Sequence, residues 1–120
     1  MAKKVLLYSY SACTTCKKAL RWLSENKIEF SVVDIIKTPP NKEILIRALD
    51  QFENRKSLFN TSGLSYRNLG AKVVQGMNDA QIIEALIADG KLIKRPFLIT
   101  KEEKILVGFR PEVWKAILLD

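Results

Sequence analysis

Cys13 and Cys16 are the only cysteines in a chain of 120 residues, and the chain has no histidine. A C-x-x-C pair at the start of a helix is redox chemistry: the first thiol ionises and attacks, and the second lies one turn on, within reach to resolve the adduct. Without histidine there is no Ser-His-Asp or Cys-His catalysis, and two cysteines alone cannot fill a four-ligand zinc site within one chain. No metal is expected. Cys16 also heads an apolar stripe with Leu20 and Leu23, where a cysteine serves equally as a small buried hydrophobe. Both readings of Cys16 stay open on the sequence.

A reactive cysteine can also belong to a phosphatase-like loop, which needs an arginine six residues on. That position is Ala19, so any oxyanion must be held by arginines from elsewhere in the chain. Arg95, directly before Pro96, and Arg110, after the last strand-like run, are the two candidates. A guanidinium binds oxyanions in bidentate fashion and stays charged near neutrality. The alternative for each is an ordinary surface arginine at a strand end.

The elements that must position these groups can be read from periodicity. Residues 4–10 (Lys-Val-Leu-Leu-Tyr-Ser-Tyr) form a short apolar run that suits a buried strand. A helix follows from the cysteine turn, closed by Asn26 and Lys27, and the β-branched run 28–36 is a second strand. This βαβ unit calls for a parallel pair and puts Cys13 at the strand-to-helix turn. There, unpaired N–H groups and the positive end of the helix dipole favour the thiolate, with Lys17 and Lys18 one turn on as further help.

Asn41 and Asn78 cap helices over 43–52 and from 79 onward, a shorter helical stretch spans 64–69, Gly90 lies past the end of the later helix, and the middle third carries no strand signal. Phe97–Thr100 and Ile105–Phe109 flank the charged turn 101–104 as a hairpin. Pro111 then opens a last helix with Val113, Trp114, Ile117 and Leu118 inward. The order predicts an α/β thioredoxin-like fold: βαβ plus ββα in a mixed four-stranded sheet, one domain over 1–120, with a helical insertion at about 41–90.

Composition agrees with one globular core: 48% of residues are apolar and 28% charged. The net charge of +7 is spread, with 11 basic and 6 acidic residues in 1–60 and 9 and 7 in 61–120, and no basic run exceeds two. That pattern fits a solvated surface favouring small anions or an acidic partner, without direct nucleic-acid binding. No apolar run is long enough for a membrane span, and the cysteine usage suits a cytoplasmic protein.

Several motifs together resemble the glutaredoxin-coupled arsenate reductase (ArsC) family and its relatives, the Spx transcriptional regulators. They are Tyr-x-x-x-x-Cys at 8–13, Lys17-Lys18-Ala19, Trp22-Leu23, Pro39-Pro40, Phe59-Asn60-Thr61-Ser62-Gly63, Tyr66-Arg67-x-Leu69-Gly70, Leu92 to Pro96, and Val107-Gly108-Phe109-Arg110. The resemblance implies the same thioredoxin-like fold with a helical insertion. In the reductases, a cysteine at the position of Cys13 attacks arsenate, glutathione completes the adduct and glutaredoxin recycles it, while three arginines hold the oxyanion. Arg95 and Arg110 match two of those arginines, and Asn60 stands in place of the first. An amide hydrogen-bonds an anion but brings no charge, which weakens binding of a multiply charged oxyanion such as arsenate.

Cys16 is a second departure, shared with Spx, whose C-x-x-C is a thiol/disulfide switch on a protein that binds the RNA polymerase α subunit. The 60–63 stretch looks most like an ArsC-like subfamily for which a glutathione-linked thiol reductase activity is supposed. The expectation is therefore a cytoplasmic thiol oxidoreductase. Cys13 attacks an oxyanion or disulfide bound by Arg95, Arg110 and Asn60; Cys16 or glutathione, a co-substrate rather than a bound cofactor, resolves the adduct; glutaredoxin is a candidate partner. The alternative is a redox-switched regulator that docks on RNA polymerase.

Overall fold

β1 (Lys4–Ser9) lies in the middle of the sheet, which is why its apolar run is nearly continuous. The computed structural model describes residues 4–119. After β1 come α1 (Thr14–Glu25), β2 (Glu29–Asp34), α2 (Lys42–Gln51), α3 (Leu64–Leu69), α4 (Ala71–Gln75) and α5 (Asp79–Ala88). β3 (Phe97–Ile99), β4 (Ile105–Val107) and α6 (Pro111–Leu118) complete the chain. A short 3-10 turn at Arg55–Leu58 lies between α2 and α3, and another at Gly90–Leu92 lies between α5 and β3. No helix among the described residues is long and apolar enough to cross a membrane.

The sheet order is β2-β1-β3-β4. β1 runs parallel to β2, from Lys4 opposite Glu29 to Ser9 opposite Asp34, and antiparallel to β3, with Leu6 opposite Ile99 and Tyr8 opposite Phe97. β3 and β4 form the hairpin. This is the mixed four-stranded sheet of a thioredoxin-like fold expected from the βαβ and ββα pattern. The hairpin strands are shorter than the sequence suggests because Thr100 is spent on the turn. Its N–H donates to the Lys104 carbonyl at 2.9 Å, and its Oγ1 accepts the Lys104 N–H at 3.0 Å.

Two compact units divide the chain, one drawn from residues 1–34 and 95–120, the other from 35–94. In the first, Val5, Leu7, Ala19, Leu23, Leu98 and Trp114 belong to one buried cluster. Trp22, Phe109 and Trp114 meet edge to face around it, with centroids 4.9 to 6.1 Å apart. Such pairs add about 0.5–1.5 kcal/mol each beyond burial. Trp114 can be buried because its indole N–H donates to the Gly108 carbonyl at 3.2 Å. Gly108 has φ of 68°, where a side chain would be strained, and its own N–H donates to the Pro96 carbonyl at 2.9 Å. The segment before β3 is thus tied to the aromatic core through two successive hydrogen bonds.

The second unit is helical, as expected for the middle third, with α2 packed on α5. Leu45, Ala48, Leu58, Phe59, Ile82 and Leu86 are all buried there. Its described residues form no named strand, but one isolated antiparallel bridge joins Phe59 and Ile93. Gly90 does more than follow a helix end. Asp89 is the C-cap of α5, and a Cβ on Gly90 would overlap the Ile35 carbonyl.

Candidate active site

Cys13 occupies the N-cap of α1, with φ −91° and ψ 113°. Its N–H donates to the Tyr10 carbonyl at 3.0 Å, closing the turn out of β1, and its carbonyl accepts from the Lys17 N–H at 3.1 Å. The side chain does what a capping oxygen usually does: Sγ accepts the Cys16 N–H at 3.3 Å. The sulfur is therefore aimed at the positive end of the helix, as the strand-to-helix position implied.

Partial burial is the largest influence on Cys13 and opposes ionisation. It is outweighed by hydrogen bonds from the Cys16 thiol, the Cys16 N–H and the Arg95 guanidinium, with the Arg95 charge adding to them, so the thiol is held below its ordinary value. The cation that acts on the sulfur is Arg95. Lys17 and Lys18, expected to assist, are both exposed, where water screens their charge.

Cys16 has the opposite character. It is fully buried, and its thiol is pushed up to about 11 by burial first and then by its hydrogen bond to Cys13, partly offset by hydrogen bonds from the Tyr10 backbone and the Ser9 side chain. Both cysteines are free thiols. Cys16 fills the buried position of the apolar stripe, as one of its two readings held, and remains in hydrogen-bond contact with Cys13, as the other required.

Arg95 precedes a cis peptide bond to Pro96. Its guanidinium lies over the Tyr10 ring, 5.1 Å from the centroid. Tyr10 is the residue that sequence reading missed. On the sequence it ends the strand-like run 4–10, whereas β1 stops at Ser9, and nothing local in the sequence links it to a residue in the C-terminal third. Arg110 is the N-cap residue of α6. Its side chain is exposed and its Nε lies 3.4 Å from Glu112 Oε1. Asn60 belongs to the second unit and shapes the 60–63 turn: its N–H donates to the Leu92 carbonyl at 2.8 Å and its carbonyl accepts from Gly63 at 3.1 Å. Of the five residues singled out from the sequence, Cys16 and Arg95 both contact Cys13. Among the described residues, no three His, Cys, Asp or Glu side chains cluster to hold a metal.

The arrangement supplies an activated sulfur, a guanidinium beside it and a second thiol behind it. The model of the ArsC family matches residues 8–117. The Bacillus subtilis protein YusI is 41% identical over 107 residues, which cover 88% of this chain and 90% of YusI. The regulatory protein MgsR of the same organism is 30% identical over 112 residues, covering 92% of this chain and 87% of MgsR. Among solved structures, one described as a possible arsenate reductase from Streptococcus mutans superposes with a TM-score of 0.81 at 37% identity, covering 88% of this chain and 91% of that one.

Proposed function

The chain belongs to the ArsC family, and on that premise we propose that it is a thiol oxidoreductase in which the Cys13 thiolate attacks a disulfide or an oxyanion drawn in by Arg95. The observation that carries this reading is the convergence on one sulfur of the Cys16 N–H and thiol and the Arg95 guanidinium, all of which favour the charged nucleophile.

With a disulfide substrate, Cys13 Sγ bonds to one sulfur and the other leaves as a thiolate that takes a proton from water. A second thiol then attacks the mixed disulfide. If it is glutathione, Cys13 is released as thiolate and a glutathione disulfide forms; if it is Cys16, an internal disulfide forms that glutathione or glutaredoxin must reduce. Glutathione is favoured for this step. Glutathione approaches the mixed disulfide from solvent, whereas Cys16 is fully buried, where desolvation disfavours its thiolate. With an oxyanion, the sulfur bonds to the central atom and one oxygen departs as water, protonated by solvent because no histidine is present. Arg110, exposed at the head of α6 beside Glu112, is the second guanidinium assigned to an anion in this reading. This chemistry needs a reducing compartment, which supports a cytoplasmic location.

Thiolate absorbance in the ultraviolet, followed against pH, tests the reading together with mass spectrometry after exposure to oxidised glutathione. Cys13 should ionise below the ordinary cysteine value of about 8.5 and carry the glutathione adduct. Titration at that ordinary value, or an adduct absent from Cys13, would remove the nucleophile. Turnover with arsenate, glutathione and glutaredoxin, set against turnover with a glutathione mixed disulfide, then selects the substrate.

A second reading is favoured by the 30% identity to the regulatory protein MgsR: the same cysteine pair acts as a redox switch on a protein that docks on the RNA polymerase α subunit. Pull-down with the α C-terminal domain in reduced and oxidised states tests it, and no binding in either state rejects it.

A further inference from the structure

β1 and β3 pair in one constant antiparallel register: Leu6 opposite Ile99, Leu7 opposite Leu98, Tyr8 opposite Phe97. The Tyr8 and Phe97 rings meet edge to face, 5.7 Å apart, as directly opposed side chains can. The ladder stops at the next step, where Ser9 comes opposite Pro96, which has no N–H to donate. One step further, the register brings Tyr10 opposite Arg95. The guanidinium lies over that ring at 5.1 Å from its centroid, within the range of a cation–π contact. Tyr10 is also the residue whose carbonyl accepts the Cys13 N–H at 3.0 Å. The same residue therefore fixes the turn that carries the sulfur and bears the cation that acts on it.

We propose that Tyr10 is a positioning residue for the Cys13 reaction: its ring holds the Arg95 guanidinium beside the sulfur. This rests on the reading of Cys13 as the nucleophile and adds to it a reason why one arginine suffices to act on that atom. An arginine side chain has many rotamers, and an unrestrained one would spend most of its time in solvent. A ring face on the opposite strand selects the rotamer that reaches Cys13. Stacking uses the face of the guanidinium rather than its N–H edge, and the side chain hydrogen-bonds to the Cys13 sulfur.

The charged and titratable groups around the sulfur are Cys16 from α1 and Arg95 from the segment before β3. The test therefore compares Tyr10→Phe, Tyr10→Leu and Arg95→Gln, singly and with Tyr10→Leu and Arg95→Gln combined, in the full-length protein. The readout is the pH at which Cys13 ionises, followed by thiolate absorbance and by the pH profile of its alkylation with iodoacetamide. Tyr10→Leu keeps bulk but has no π face, and should raise that pH by about half a unit to one unit, a roughly three- to tenfold loss of thiolate below it. Tyr10→Phe keeps the π face and should titrate like the parent. In the Arg95→Gln background the Leu substitution should add nothing, since its effect passes through the arginine.

A Leu variant that titrates like the parent overturns the proposal, as does a shift of equal size in the Arg95→Gln background. A Phe variant that shifts as far as the Leu variant overturns it too, by assigning the effect to the hydroxyl. Those failures are distinct from failure of the proposed function, which would show as ordinary Cys13 titration in the unsubstituted protein. Should Tyr10→Leu fold poorly, Tyr10→Met supplies the same comparison.

Discussion

At the start of α1 the capping atom is the Cys13 sulfur, 3.3 Å from the Cys16 N–H. In the helical unit, at the starts of α2 and α5, it is the side-chain oxygen of Asn41 or Asn78, 2.9 Å from the N–H of Ile44 or Gln81. The backbone geometry is of one kind, extended at the cap and helical after it. The atoms differ in what they can become. An amide oxygen is a good neutral acceptor, and at Asn78 the cap is completed by the Gln81 side chain accepting the Asn78 N–H at 2.9 Å. A neutral sulfur is a poor acceptor, and it becomes a strong one by losing its proton. One helix start is therefore a device for stability, and the other converts the same unpaired N–H groups into a preference for thiolate.

Replacing the sulfur breaks the comparison most completely. Cys13→Ser should abolish the glutathione adduct and the low-pH thiolate signal while leaving thermal stability unchanged or raised, within about 1 kcal/mol, because a hydroxyl caps well. Mass spectrometry and a melting curve on one sample check both halves. A marked loss of stability would mean that the sulfur is mainly a structural cap.

The next effect separates the two cysteines by the sign of their pH dependence. Cys16 has a native value near 11, above its unfolded value of about 8.5. Its contribution is complete below the unfolded value and is lost as pH rises through the native one. Cys13 is held low, so its contribution is present above the unfolded value and fades as pH falls through the native one. Tyr8, raised by burial, adds a loss of the same sign as Cys16 near and above pH 10. Urea unfolding between pH 8 and 11 should show falling stability, and Cys16→Ala should flatten the part that belongs to Cys16.

The smallest effect sharpens the contrast from the helical side. Asn78→Ala removes the side-chain half of the capping box and leaves the backbone N–H of residue 78 to donate to Gln81; it should cost about 1 kcal/mol without moving the Cys13 titration. Chemical denaturation gives the first quantity and thiolate absorbance the second. A shift of Cys13 in this variant would show that the two helix starts do not act independently.

Much of the scaffold was legible because its signals are local. The Asn41 and Asn78 caps, the stripe through Cys16 and Leu23, Pro111 at the head of α6 and the position of Cys13 all depend on contacts within about one helical turn or on alternation along a strand. Local signals were also incomplete. Lys17 and Lys18 stand near Cys13 in the chain but are exposed, and Gly90 does lie past the end of α5, while the close approach of the Ile35 carbonyl is a constraint that no local pattern carries.

The amino-acid order by itself determined the four strands and the capped helices, their sequence, the family resemblance and the placement of one thiol at a helix start, since propensity, capping and periodicity act between near neighbours; α4 and the two 3-10 turns carried no such signal. Which cation reaches that thiol, which ring carries the cation and how deeply the second thiol is buried were decided only when β3 paired with β1 and α1 packed on the sheet. Those outcomes depend on register and packing between segments distant along the chain, and no spacing within either segment encodes them.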